Sequence, residues 1–232
     1  MKESFITEAE KHTEIAGKYD VIVAGSGPSG FAAAVTAARN GAKTLIIEAQ
    51  SGVGGISTSG LMSHFTGRVD SRLYSEILER SHKQDFFKCD DKVRIDPELL
   101  KNTYLEMLQA AGVDILLYTL VCDVIKNGDR VCGVITENKS GRRAYLADVL
   151  IDATGDGDLA CRAGAEYFKG RESDGKMQPA TLMFKVGGVD MSRAVFPPSF
   201  ETTVETDKGE LQALAKKLLP YPAGHVLLYA ST

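Results

Sequence analysis

Hydrophobic positions along the chain change their period several times, and each change marks a predicted element. Val21-Ile22-Val23-Ala24 is a continuous apolar run that enters Gly25-Ser26-Gly27-Pro28-Ser29-Gly30. That pattern predicts a buried strand from Asp20, a glycine-rich turn, and a helix over Ser29 to Asn40 rich in alanine. Gly41 is placed as a helix stop. Lys43 to Glu48 is a second apolar run with the character of a parallel strand covered on both faces. Ser51 to Gly60 is crowded with glycines and hydroxyls and predicts a loop.

Helical spacing returns at Asp70 to His82, carried by Leu73, Ile77 and Leu78. Asp96-Pro97 then opens a helix to about Ala111, because a capping acid followed by proline fits a helix start, and Gly112 ends it. Val113 to Tyr118 predicts a third parallel strand. From Leu120 to Leu146 the pattern becomes alternating, with turns at Asn127-Gly128 and Ser140-Gly141, which predicts a small antiparallel meander. A short buried strand, Val149-Leu150-Ile151, follows it and runs into Asp152-Ala153-Thr154-Gly155-Asp156-Gly157-Asp158. Beyond Gly170 the character shifts to a predicted strand at Pro179 to Val186, a bend at Pro197-Pro198, a helix over Asp207 to Leu219 and a strand at Val226 to Tyr229. Residues 1–18 form a polar lead with room for one or two helical turns.

The 232 residues suffice for one large domain and part of another, and a composition of 44 % hydrophobic and 25 % charged residues is that of a soluble globular protein. A formal charge of −4 argues against nucleic acid as a partner, since binding a phosphate backbone calls for a basic surface. No apolar run approaches the length of a membrane span, and the polar start is unlike a signal sequence, so a cytoplasmic protein is expected. Cys89, Cys122, Cys132 and Cys161 are scattered without metal-ligand spacing, and are expected to be buried, inert thiols.

The chemistry concentrates at the glycine turn. Gly25 suits the tight bend, Gly27 lets backbone amides approach a diphosphate, and Gly30 lets the helix pack closely on the strand. The helix N-terminus itself stabilises an anion, and no lysine is present in the loop. Glu48 follows Gly30 by eighteen residues, the place for an acid that accepts from both hydroxyls of an adenosine ribose. The Gly54-Gly55 pair would let a second stretch of backbone approach the same diphosphate.

Taken together, the glycine turn, Glu48, the Gly54-Gly55 pair, the meander and Ala153-Thr154-Gly155-Asp156 resemble the FAD-dependent oxidoreductases of the glutathione-reductase-type fold. Asp152 to Asp158 and Met177-Gln178-Pro179 are most similar to a bacterial family of largely uncharacterised FAD-dependent oxidoreductases. The resemblance covers about residues 19–230. It implies an α/β fold with a Rossmann-like parallel sheet and an antiparallel β-meander, with residues 19–170 as the FAD-binding domain. Residues 171–232 would be an incomplete α+β substrate domain.

The cofactor implied is FAD, with a small-molecule substrate and hydride transfer as the reaction. Gly25, Gly27, Ser29 and Gly30 would meet the diphosphate, Glu48 the ribose, and Gly54 and Gly55 the diphosphate and ribityl side. Val121 would offer backbone to the adenine, Thr154 and Gly155 would pass beside the cofactor, and Pro28, Ala49, Ser57, Ala153 and Asp156 complete the lining. No catalytic residue is readable. His64 and Arg68 lie on the expected ring side, and His225 lies in the incomplete part. Family members usually continue to a third cofactor segment, so a fragment is expected, completed by a missing segment or by self-association. Two other readings stay open: a thiazole-forming enzyme that holds an adenine dinucleotide without flavin turnover, and a non-catalytic binding subunit.

Overall fold

A computed structural model describes residues 9–62, 64–65, 69–81, 93–178, 180–190, 192 and 205–210, with 213 and 217. The elements in chain order are β1 (Glu14–Ala24), α1 (Pro28–Arg39), β2 (Thr44–Ile47), a 3-10 turn (Gly55–Ser57), β3 (His64–Phe65), α2 (Arg72–Ser81), β4 (Val93–Arg94) and α3 (Pro97–Ala110). They continue with β5 (Asp114–Leu116), β6 (Leu120–Asn127), β7 (Arg130–Asn138), β8 (Gly141–Asp152), α4 (Asp158–Ala163), β9 (Glu205–Thr206) and β10 (Gly209–Glu210). The chain divides into two compact units, residues 1–183 and 184–232.

The first unit is built on a six-stranded sheet of order β5-β2-β1-β8-β7-β6. β5, β2, β1 and β8 run parallel, with Val23 opposite Ile46 and Ile151, while β7 and β6 continue from β8 as an antiparallel meander. The continuous apolar runs are explained by cover on both faces. Val23 and Ile46 join Phe31, Val35, Leu100, Tyr104 and Leu108 of the helices in one core. Their neighbours Ile22, Ala24, Leu45 and Ile47 face the opposite way, against Val121, Val134, Tyr145 and Leu159. A period of two along each strand therefore feeds two cores from one sheet.

The helix ends follow from local chemistry. Asp96 caps α3 by accepting from the amides of Glu98 and Leu99, and Pro97 occupies the first turn. Gly41, at φ +90°, closes α1, its amide donating to the Ala38 carbonyl at 2.9 Å. α1 and α3 meet through Phe31 and Tyr104, whose rings stack with centroids 3.8 Å apart. Burial pushes the Tyr104 hydroxyl up to about 12, against a smaller opposing effect of its hydrogen bond with Ser57.

Four expectations are corrected. The polar lead is not helical at its end: Glu14 to Lys18 extend β1 and pair with Arg143 to Leu146 of β8, across a bulge between Ile15 and Gly17. The meander's last segment and the short strand after it are one twelve-residue strand, β8, because the same chain pairs with β7 at its start and with β1 along its length. Residues 180–186 carry no strand. The helix expected from Asp207 starts later, since residues 205–210 are a β-hairpin with Gly209 at φ +112°. Residue 213 is the first described helical position beyond it. Pro197-Pro198, the strand at 226–229, Cys89, Arg68 and His225 lie outside the described residues, as does the side chain of His64.

Replacing Phe31 by Ala removes a fully buried ring from the junction of α1 and α3. Denaturant unfolding is expected to show a loss of about 3–5 kcal/mol, and a loss below about 1 kcal/mol would mean the stack is not packed as described.

Candidate functional site

Three backbone segments converge at the carboxyl ends of β1, β2 and β8. The first is the turn Gly25 to Gly30. Its opening amide, from Gly25, donates to the Ile47 carbonyl at 2.7 Å and keeps the turn attached to β2. Gly25 has φ +92°, and a Cβ there would stand 2.2 Å from the Ala153 carbonyl oxygen and 2.9 Å from the Thr154 nitrogen. A Cβ on Gly30 would stand 2.0 Å from the Gly25 carbonyl oxygen and 3.0 Å from the Ala153 Cβ. Both glycines are therefore demanded by the contact between the turn and residues 153–154.

Gly27 differs. Its backbone, at φ −58° and ψ 178°, is open to any residue, and a Cβ would meet nothing within 4 Å. The position faces free space. Gly27 is the N-cap of α1, Pro28 at the first helical position has no N–H, and the amides of Ser29 and Gly30 have no intrahelical acceptor. No acidic side chain stands in this first turn to compete for an anion. Pro28 and Ser29 are exposed at its mouth.

The second segment is the loop after β2. The Gly54 amide donates to the Ser26 carbonyl at 2.8 Å, and a Cβ on Gly55 would stand 2.9 Å from the Gly27 Cα. The loop thus lies directly against the turn. Ser57 is buried, its hydroxyl donating to the Gly54 carbonyl at 2.7 Å and hydrogen-bonded to Tyr104. Its side chain braces the loop from inside. Ala49 is exposed.

Glu48 joins the two segments. It is 9 % exposed, and its Oε2 accepts from the amide of Ser26 at 2.9 Å and from the Ser26 hydroxyl at 2.6 Å. Its Oε1 accepts from the Gln50 amide at 2.9 Å. The Glu48 main chain extends the β2–β5 ladder: its amide donates to the Leu116 carbonyl and its carbonyl accepts from Thr119, at 2.8 and 2.9 Å. This brings the start of β6, where buried Val121 pairs with Thr136, towards the same strand end. Tyr118 sits between, with its amide on the Gln50 carbonyl at 3.0 Å, its backbone at φ +51° and its ring exposed. A left-handed backbone at a bulky residue is uncommon and marks a constrained crossing.

The third segment follows β8. The Ala153 amide donates to the Ala24 carbonyl at 2.7 Å, continuing the ladder past the strand. Asp152 organises what comes next. Its Oδ1 accepts from the Thr154 amide and hydroxyl at 3.0 and 2.7 Å, and its Oδ2 accepts from the Ala160 amide at 2.8 Å. The Thr154 hydroxyl in turn accepts from the Asp158 amide at 2.9 Å. Burial raises the Asp152 carboxyl, but hydrogen bonds from Ala160, from Thr154 and from Leu159 outweigh it and hold the group below the usual carboxylate range. Gly155, at φ +90°, and Asp156 are exposed, and a Cβ on Gly155 would meet nothing within 4 Å.

With this geometry in view, comparison with known proteins decides the family. The model of the family described as FAD dependent oxidoreductase matches residues 20–224. The chain belongs to that family. Among curated proteins, this FAD-dependent oxidoreductase family member is 32 % identical over 146 residues to thiamine thiazole synthase of Methanococcus maripaludis, covering 59 % of this chain and 55 % of that protein. It is 25 % identical over 202 residues to digeranylgeranylglycerophospholipid reductase 1 of Methanococcoides burtonii, covering 76 % of this chain and 47 % of that one. The chain thus spans about half the length of these relatives.

Among solved structures it is similar to Thermovibrio ammonificans THI4, with a TM-score of 0.51, 21 % identity, and coverage of 62 % of this chain and 61 % of that one. A geranylgeranyl bacteriochlorophyll reductase-like protein of Thermoplasma acidophilum gives a TM-score of 0.51 at 20 % identity, covering 67 % and 43 %. These likenesses show the fold: the expected α/β class with a Rossmann-like sheet is the observed one. FAD, the expected cofactor, is the one the family is named for. Among the described residues no helix is long and apolar enough to cross a membrane.

Three organising residues escaped the sequence reading: Ser26, Gln50 and Asp152. Ser26 meets Glu48 across 22 residues of chain, and only Asp152 had a local signal, as an acid two residues before a threonine. The thiols also differ from expectation. Cys122 and Cys132 are half-buried in β6 and β7, and Cys161 on α4 is exposed.

The glycines separate into two classes by experiment. Gly25→Ala and Gly30→Ala are expected to destabilise the protein by about 2–4 kcal/mol in denaturant unfolding, from backbone clash. Gly27→Ala is expected to cost no more than about 1 kcal/mol, the price of a poorer N-cap. Equal losses at all three would mean residues 153–154 do not touch the turn. Asp152 gives a pH signature. Because its folded carboxyl is held low, its contribution is complete above the unfolded carboxylate pKa, near 3.9, and is lost as pH falls through the folded value. Thermal melts below about pH 4 should therefore decline more steeply for the native protein than for Asp152→Asn; parallel declines would remove Asp152 from this role.

Proposed function

We propose that this chain binds FAD across the three converging segments and serves the oxidoreduction of a small-molecule substrate. The observation that carries the reading is the meeting of Gly27 with Gly55, and of Gly25 with residues 153–154, around a stretch of backbone whose Cα at Gly27 faces open space. On this reading the amides of Gly27, Ser29 and Gly30 hold the diphosphate together with the N-terminal partial charge of α1. Gly54 and Gly55 line its other side, Glu48 receives the adenosine ribose, and Val121 offers backbone to the adenine. Thr154, Gly155 and Asp156 lie along the flavin half, with residues 153–158 kept in place by Asp152.

FAD supplies the two-electron chemistry when bound, and the protein's contribution is to hold and orient it and to admit a substrate. The buried Glu48 side chain sets the polarity of the ribose site: a hydroxyl can donate to it, whereas a phosphate in the same place would meet a carboxylate. The thiazole-forming reading draws on the same cradle and on the names of several relatives. The bound molecule distinguishes the two.

Denaturing the purified protein and identifying what it releases by mass spectrometry is expected to yield FAD. An adenine dinucleotide without flavin would favour the thiazole reading instead. Gly27→Val, which enters free space in the folded protein, is expected to weaken FAD at least about 100-fold by fluorescence titration, equivalent to about 2.7 kcal/mol, while thermal stability changes little. Unchanged affinity in a folded variant would remove the turn from the site.

A further inference from the structure

We draw no further inference here: the strongest candidate, the stretch of exposed apolar side chains that follows α4 (Tyr167, Phe168, Met177 and Leu182), carries none, because nothing in the structure shows what covers it.

Discussion

Everything at this site depends on the absence of a side chain at Gly25. That absence lets the turn after β1 lie against the backbone that leaves β8, with a gap too small for even one methyl group between them. Gly30 repeats the condition one helical turn later, where the start of α1 rests on Gly25 and Ala153. Parallel neighbours in a sheet deliver their carboxyl ends to the same edge, but they do not by themselves bring loops into contact. Here the two glycines turn a shared edge into a continuous backbone surface.

Two carboxylates hold that surface in shape, and among the described residues neither has a charged partner. Glu48 accepts from Ser26 and Gln50, and Asp152 accepts from Thr154 and Ala160. In both cases donors at a backbone bend satisfy a partly or largely buried acid. Glu48 links the first segment to the second, and Asp152 anchors the third to α4. The free face at Gly27 is what remains when these contacts are made.

The sequence is most legible where a local rule is sufficient. The Gly25 to Gly30 turn, the Asp96-Pro97 helix start, the stop at Gly41 and the hairpin at Asn127-Gly128 all follow from φ preferences and capping within a few residues. It is least legible where a segment takes its structure from a distant partner. Glu14 to Lys18 has no apolar run, yet it is strand because β8 lies alongside it. The break expected near residue 148 does not occur, because β8 changes neighbours without changing conformation. The hydrogen bond of Ser57 with Tyr104 likewise depends on where α3 packs.

The sequence by itself determined the main strands and helices around the glycine turn, the position of the glycine bends and the acid that follows them, because these are written in backbone preference and in the period of apolar residues. Only the tertiary structure decided how many hydrogen bonds Glu48 already receives, which glycines are needed for contact and which for empty space, and how residues 153–155 meet the first turn. The physical reason is distance along the chain. Ser26 and Glu48 are separated by 22 residues, and Gly25 and Ala153 by far more, so their contacts exist only after the sheet has placed β1, β2 and β8 side by side.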